Sequence, residues 1–115
     1  DERADIYSFG LIAYEAVTGE RAFPCEDGNF QTIAMKHFME PLPDVPRERK
    51  DIPRWFRILL GVCAEKKPEH RYRSMDDIVD ILEIGMRKMA LLPPLPVDPN
   101  SSFIQKVLRR IFSTC

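Results

Sequence analysis

The run of residues 5–19 constrains the fold more than any other stretch, because it is apolar on nearly every side of a helix. Its apolar residues are Ile6, Tyr7, Phe9, Leu11, Ile12, Ala13, Tyr14, Ala16 and Val17. A helix that is hydrophobic all round belongs inside a core. Gly19 supplies the stop, since glycine takes the left-handed conformation that ends many helices at little steric cost. The sequence therefore predicts a central, buried helix over residues 5–19.

Asp5 stands at the head of this run, and its role has two readings. Its carboxylate could cap the helix by accepting free backbone N–H groups at the positive end of the helix dipole. Alternatively, Asp5 holds a second backbone segment that lies upstream of residue 1. The residues of the run leave both readings open.

The run also carries a family resemblance. It begins Asp-Ile-Tyr-Ser-Phe-Gly at residues 5–10 and is followed by Thr-Gly-Glu-Arg-Ala-Phe at residues 18–23. This pattern resembles the central αF helix in the C-lobe of eukaryotic-type (Hanks-type) protein kinases. The family commonly has Trp where Tyr7 stands and Pro where Ala22 stands, although other aromatic residues are common at the first position in bacterial members. The resemblance implies that Asp5 braces the catalytic loop and that Gly10 belongs to the same structural support.

A second signal lies at residues 67–74, which read Lys-Pro-Glu-His-Arg-Tyr-Arg-Ser. They resemble the Asp-Pro-x-x-Arg-Pro turn before the last helix of the kinase C-lobe, and the Arg-Tyr form is especially like bacterial serine/threonine kinases. The resemblance implies that Arg71 pairs with the glutamate of the family's Ala-Pro-Glu motif, which this chain does not contain. Lys67 departs from the usual Asp, which removes a turn cap and leaves this pairing intact.

Residues 29–39 have the spacing of an amphipathic helix capped by Asn29. The predicted apolar side holds Phe30, Ile33, Ala34 and Phe38, with His37 beside them. The stretch matches the family's αG helix, which often contacts substrates or partner proteins. Phe30, Ile33 and His37 are therefore candidate docking residues, and the alternative for His37 is a partly buried helix position.

Two further helices follow a proline-dense connector at residues 40–46. The first, the family's αH, opens at Asp51-Ile52-Pro53, with Asp51 available as a cap and Arg57 facing away from the buried side. Its predicted buried stripe is Trp55, Ile58, Leu59, Val62 and Cys63. The second, the family's αI, begins with a capping-box pattern at Ser74. Its predicted stripe is Met75, Ile78, Val79, Leu82, Met86 and Met89.

The last part of the chain divides into a proline-rich linker at residues 91–100 and a basic amphipathic segment at residues 101–115. The apolar side of the tail holds Phe103, Ile104, Val107, Leu108 and Ile111, and its basic residues are Lys106, Arg109 and Arg110. Such a segment docks on its own domain or on a partner, or it lies on an anionic membrane surface. The sequence favours docking, because the tail is short and weakly charged.

Composition excludes some classes of function. A net charge of -1 over 115 residues lacks the excess of basic residues that nucleic-acid-binding domains carry. Cys25, Cys63 and Cys115 lack metal-ligand spacing and are expected to be reduced thiols of a cytoplasmic protein. No apolar run approaches the roughly 18 residues that span a bilayer. The expected location is cytoplasmic, and association with a membrane through the parent chain or through residues 101–115 is the alternative.

The motifs of kinase chemistry are not in residues 1–115. There is no glycine-rich loop, no His-Arg-Asp and no Asp-Phe-Gly, so we expect neither catalytic residues nor a metal site here. The resemblance implies a parent serine/threonine kinase that uses ATP and Mg²⁺ and a fragment that is inactive alone. The charged start without Met favours a segment of a longer protein, whose upstream catalytic loop and activation segment would be its partners. The alternative is a pseudokinase or a protein-docking helical module.

The predicted fold class is therefore all-α. Residues 1–90 form the αF, αG, αH and αI portion of a kinase C-lobe, residues 91–100 the linker, and residues 101–115 a C-terminal amphipathic helix. Protein substrates or regulators are expected to dock on residues 29–39. The chain contains only those kinase helices that follow the central helix. One flank of the central helix should therefore be uncovered.

Overall fold

Four α-helices and one 3₁₀ turn form the part of the chain that the computed structural model describes, residues 1–25 and 28–90. The helices are α1 (Glu2–Thr18), α2 (Phe30–Met39), α3 (Arg54–Cys63) and α4 (Met75–Lys88), and the 3₁₀ turn is Pro68–His70. These residues contain no β-strand, which confirms the all-α prediction. The linker and tail helix predicted over residues 91–115 lie outside the described residues.

Helix α1 begins ahead of its predicted start because Asp1, rather than Asp5, is its N-cap. The Ala4 N–H donates to Asp1 Oδ1 at 2.9 Å, so the lead-in expected to lack structure is helical. The predicted stop is confirmed. Gly19 has φ 76°, in the left-handed region, and its N–H donates to the Glu15 carbonyl oxygen at 2.8 Å.

Helix α1 is buried on one face only within the described residues, although its sequence is apolar on nearly every side. Ile6, Gly10 and Tyr14 are buried, whereas the Ile12 side chain is 68% exposed. Asp5, seven residues before Ile12, lies on the same helix face, since seven residues make almost two full turns. The uncovered flank that the sequence predicted therefore runs along the Asp5 and Ile12 side of α1.

Helix α3 is the centre of the described fold, because it packs against both α1 and α4. Its neighbouring Leu59 and Leu60 are 0% and 1% exposed and belong to two different core clusters. The first cluster joins α1, α3 and α4 through Ile6, Trp55, Leu59, Cys63, Ile78, Ile81 and Ile84. The second joins α1 and the loops through Tyr14, Ala22, Phe23, Val45, Ile52 and Leu60. The predicted stripe of α3 omitted Leu60.

The start of α3 differs from its prediction. Pro53 is the N-cap residue and makes no side-chain cap hydrogen bond. Asp51 instead accepts from the Arg49 guanidinium at 3.0 and 2.9 Å, in an exposed ion pair. The side chain of Asp51 is therefore engaged with Arg49 and does not cap the helix.

Arg57 of α3 was predicted to face away from the core, but it does not face solvent. Its half-buried guanidinium donates to the backbone carbonyl oxygens of Val45 at 2.8 Å, Arg49 at 2.6 Å, Ile52 at 3.1 Å and Pro46 at 3.3 Å. Buried carbonyl groups need donors, and the connector has no helix or strand to supply them. Arg57 therefore fixes the proline-dense connector to the core.

Helix α4 confirms the predicted cap and corrects the predicted stripe. Ser74 Oγ accepts the Asp77 N–H at 3.3 Å, as a capping residue does. The buried residues of the helix are Ile78, Ile81, Ile84 and Gly85, while Val79 and Met89 of the predicted stripe are 46% and 41% exposed. The buried face is rotated because Gly85, which has no side chain, lets the Trp55 ring lie directly against the helix. A Cβ at Gly85 would stand 2.5 Å from that ring.

Helix α2 confirms its predicted cap, since Asn29 Oδ1 accepts the Gln31 N–H at 2.9 Å. Phe30 and Phe38 of its predicted apolar side are 85% and 82% exposed. Ile33 and His37 are half-buried, and no residue of the helix is buried. The helix therefore directs a set of large apolar side chains into solvent.

Candidate functional site

Arg71 lies where the 3₁₀ turn ends, and it is held from three sides. Its guanidinium donates to the carbonyl oxygens of Glu65 at 2.7 Å, Arg3 at 3.0 Å and Lys66 at 3.1 Å. An arginine has five N–H donors. Among the described residues, two of them therefore remain for another acceptor, one on each terminal nitrogen. That is the fork that a carboxylate binds with both oxygens.

The Tyr7 ring lies beside this guanidinium, with the Arg71 Cζ 4.8 Å from the ring centroid. The Tyr7 hydroxyl and His37 Nδ1 are 2.8 Å apart and share a hydrogen bond. Burial raises the pKa of Tyr7, and the positive charge of Arg71 partly offsets that rise. The hydroxyl therefore stays protonated and donates to Nδ1 when the neutral imidazole carries its proton on Nε2.

Lys66 completes this group, which we call the Arg71 cluster and define as Tyr7, Phe23, His37, Lys66 and Arg71. Its Nζ is enclosed 4.7 Å from the Phe23 ring centroid and 5.6 Å from that of Tyr7. Among the described residues it has no hydrogen-bond acceptor. Burial lowers its pKa, and the charge of Arg71 lowers it further. The cluster is thus a positively charged corner whose cations rest on aromatic rings and carbonyl groups.

The cluster also explains why His37 is neutral and partly buried. Its ring stands edge-on to Phe23, with centroids 5.0 Å apart, and to Tyr7 at 5.9 Å. Burial lowers the pKa of His37, and the neighbouring Lys66 charge lowers it further. His37 is therefore a neutral, partly buried link between α2 and α1, as one of its two predicted readings held.

The other predicted support residues lie apart from the cluster. Asp5 is exposed in the first turn of α1, on the uncovered flank. Gly10 is buried where α1 crosses α3, and a Cβ there would come within 2.9 Å of the Cys63 Cβ. Gly10 thus permits the close approach of the two helices. The structure brings Arg71 and Tyr7 together and leaves Asp5 facing outward.

The three candidate docking residues of α2 do not share one surface. Phe30 points to solvent, whereas Ile33 and His37 line a shallow pocket between α1 and the loop at Phe23. The outward apolar set that sequence reasoning missed includes Met35 and Met39, which are 58% and 72% exposed. The signal was available in the helical spacing, which allows two apolar sides in a helix with so few charges.

Lys66 and Arg57 are the other residues that sequence reasoning missed. Each is a basic residue in or beside an amphipathic helix, which usually signals solvent exposure. No sequence signal distinguishes them from their exposed neighbours, because the carbonyl groups and rings that hold them come from distant parts of the chain.

ATP and Mg²⁺ are the ligands that the family resemblance implies, and the described residues do not fit them. No group of three or more His, Cys, Asp or Glu side chains there could hold a metal ion. Cys63 is no ligand either, because burial raises the pKa of its thiol to about 12. We therefore derive no step of phosphoryl transfer through these residues.

No helix among the described residues is both long enough and apolar enough to cross a lipid bilayer.

Comparison with known proteins gives a consistent result. The chain is 41% identical over 96 residues to the serine/threonine-protein kinase PknA of Mycobacterium tuberculosis, a match that covers 81% of this chain and 20% of PknA. It is 39% identical over 82 residues to a probable serine/threonine-protein kinase of Clostridium acetobutylicum, covering 71% of this chain and 12% of the relative. A probable serine/threonine-protein kinase of Clostridium perfringens is 34% identical over 113 residues, covering 98% of this chain and 16% of the relative.

The chain thus spans between 12% and 20% of the length of these curated relatives. No protein-family model matches it.

Proposed function

The chain belongs, as a segment of the C-lobe, with the bacterial Hanks-type serine/threonine protein kinases, and from this premise we propose that it supports the active site of such a kinase. The parent enzyme would transfer the γ-phosphate of ATP, with Mg²⁺, to serine or threonine residues of proteins. Residues 1–90 would supply the αF to αI portion, with no catalytic residue of their own. Alone, this segment would be inactive.

The arrangement of Arg71 is the observation that carries this proposal. The guanidinium is held rigidly by three backbone carbonyls and by the Tyr7 ring, with two N–H groups left over. A cation that is fixed in this way binds a carboxylate at little cost in side-chain entropy. The glutamate that ends the activation segment of a kinase is the carboxylate that the family resemblance brings to Arg71.

The uncovered flank of α1 supports the same proposal. Asp5 and the 68% exposed Ile12 share that face, so it presents a carboxylate acceptor beside apolar surface. An upstream catalytic loop would cover it, with its backbone N–H groups donating to Asp5. Burying Ile12 would contribute on the order of 1.5–3 kcal/mol.

Calorimetry with ATP and Mg²⁺ tests the inactivity of the chain itself. We expect no heat of binding, because the glycine-rich loop and the Asp-Phe-Gly motif of kinases are not in residues 1–115, and no described group of His, Cys, Asp or Glu side chains could hold the metal. Saturable binding at micromolar concentration would contradict the proposal.

A chimera tests the supporting role. Residues 1–90 would replace the matching segment of Mycobacterium tuberculosis PknA, and phosphate transfer to a protein substrate would be measured together with ATP binding. We expect an active chimera, and a large loss of transfer in Arg71→Ala and in Asp5→Asn with ATP binding retained. A folded chimera that binds ATP and transfers no phosphate would overturn the proposal.

A protein-docking role is the second candidate function, and the outward face of α2 favours it. Phe30, Phe38 and Met39 are 85%, 82% and 72% exposed and lie on one short helix. Exposed apolar patches mark interaction sites more often than isolated residues do. In the same chimera, Phe38→Ser should lower the transfer to a docked protein substrate and leave transfer to a short peptide unchanged. Equal effects on both substrates would exclude docking at this face.

A further inference from the structure

An apolar groove lies between the C-terminal part of α1, the start of α3 and the C-terminal half of α4. Its volume is about 360 Å³, and its walls include Val17, Ile52, Trp55, Leu82, Met86 and Met89. Leu82 and Met86 are half-buried, and Met89 is 41% exposed. The groove is therefore open and has the size and polarity of a site that holds large apolar side chains.

The chain leaves the described region beside this groove. Met89 lines it, and the next residue, Ala90, has a left-handed φ of 60°. A left-handed residue at a helix end turns the backbone away from the helix axis. Residues 91–115 then follow, and the first ten of them, residues 91–100, could span roughly 30 Å when extended. Residues 101–115 are therefore within reach of the groove.

The composition of that segment complements the groove. Residues 101–115 contain a set of apolar residues with helical spacing, beside three basic residues and no acidic residue. The groove wall is mostly apolar, and its two charged residues, Arg49 and Asp51, pair with each other at 2.9 Å. On α4, Glu83 beside the groove pairs with Arg87 at 3.4 Å. The apolar side of the segment, rather than its charge, therefore matches the groove.

We propose that residues 101–115 dock in this groove as an amphipathic helix, with their apolar side on Trp55, Leu82 and Met86 and their basic side toward solvent. The docked segment closes the core at the end where α1, α3 and α4 meet. This inference concerns a surface remote from Arg71 and stands independently of the kinase role.

Trp55 provides the test, because it is the only tryptophan of the chain and lines the groove. The full chain would be compared with Leu108→Asp, which places a charge on the apolar side of the tail, and with Gln105→Asp, which makes the same change of charge on the opposite side. Acrylamide quenching and the emission maximum of Trp55 report whether the groove is covered. Circular dichroism checks that the variants remain folded.

We expect Leu108→Asp to lower the ratio of docked to undocked tail by about tenfold or more, since a buried leucine is replaced by a carboxylate. Quenching of Trp55 then rises and its emission moves to longer wavelength, while Gln105→Asp behaves like the original chain. Equal quenching in all three proteins would overturn the proposal.

Two further measurements separate the other occupants. If quenching depends on protein concentration, the groove is filled by the tail of a second copy and the proposal fails. Vesicles containing phosphatidylserine provide the membrane arm. If they bind the original chain, and quenching without vesicles is equal in all three proteins, the tail prefers the lipid surface and the proposal also fails.

Discussion

Arg71 Nη1 donates a hydrogen bond to the backbone carbonyl oxygen of Arg3 at 3.0 Å. This bond ties the turn that precedes α4 to the first turn of α1, at the two ends of the described chain. The same guanidinium holds Glu65 and Lys66, so one side chain closes the fold at the corner where the candidate site lies.

Replacing Arg71 by lysine should therefore destabilise the chain. A single ammonium group cannot satisfy three carbonyls spread around a planar fork. We expect Arg71→Lys to lower the free energy of unfolding by about 1–3 kcal/mol in urea titrations. Arg73→Lys, at an exposed position on the same loop, is the matched control and should change little. Equal stabilities would mean that the Arg71 hydrogen bonds are not stabilising.

Arg57 should be a second, independent determinant of stability. Its guanidinium donates to four backbone carbonyls within residues 45–52, and Arg57→Met would remove all four hydrogen bonds. The Pro46 and Arg49 carbonyls would keep the bonds that they accept from backbone N–H groups. We expect a loss of about 2 kcal/mol or more. Arg47→Met, at an exposed position of the same loop, should stay within about 0.5 kcal/mol of the original chain. Hydrogen exchange would locate the Arg57 effect in residues 42–52, and uniform loosening of all helices would contradict a local role.

Glycine substitutions should have opposite effects in α3 and α4. A Cβ at Gly85 would meet the Trp55 ring at 2.5 Å, whereas one at Gly61 would meet nothing within 4 Å. Gly61→Ala should stabilise the chain by up to about 1 kcal/mol, through helix propensity. Gly85→Ala should destabilise it by about 1–3 kcal/mol, because the packed ring must move. Thermal or urea unfolding of both variants gives the comparison, and a stabilising Gly85→Ala would refute the contact with Trp55.

Stability should depend on the protonation of His37. Its pKa is lowered in the folded state from 6.5, because burial and Lys66 disfavour the charged ring. The unfolded chain therefore takes up a proton at higher pH than the folded chain does, and stability falls as the pH drops below about 6.5.

The urea midpoint measured from pH 7.5 to 5.5 checks this prediction. His37→Gln keeps an acceptor for the Tyr7 hydroxyl and removes the titrating ring, so its midpoint should fall less over the same range. A parallel decline in both proteins would assign the pH dependence to other groups.

Local sequence signals predicted those features that depend on neighbouring residues. Asn29 and Ser74 cap their helices as predicted, and Gly19 ends α1 in the left-handed conformation. Each of these depends on atoms within a few residues, so the local sequence contains the needed information.

Predictions that depended on which side of a helix meets another helix were less successful. Leu60 was omitted from the stripe of α3 and is 1% exposed, while Val79 was placed in the stripe of α4 and is 46% exposed. Helical spacing gives the periodicity of apolar residues, but a helix with apolar residues on two sides has two solutions. The choice between them depends on the neighbour.

The sequence itself therefore determined the features that follow from local propensity and short motifs. These are the family resemblance, the all-α class, the four helices and the cap residues. The tertiary structure decided where the basic side chains go. Arg57 and Lys66 look like surface residues along the chain, and Arg71 is marked only by its family motif. Folding alone brings to these residues the carbonyls of Val45 and Arg3 and the rings of Phe23 and Tyr7. A partner that lies up to 68 positions away leaves no local trace in the sequence.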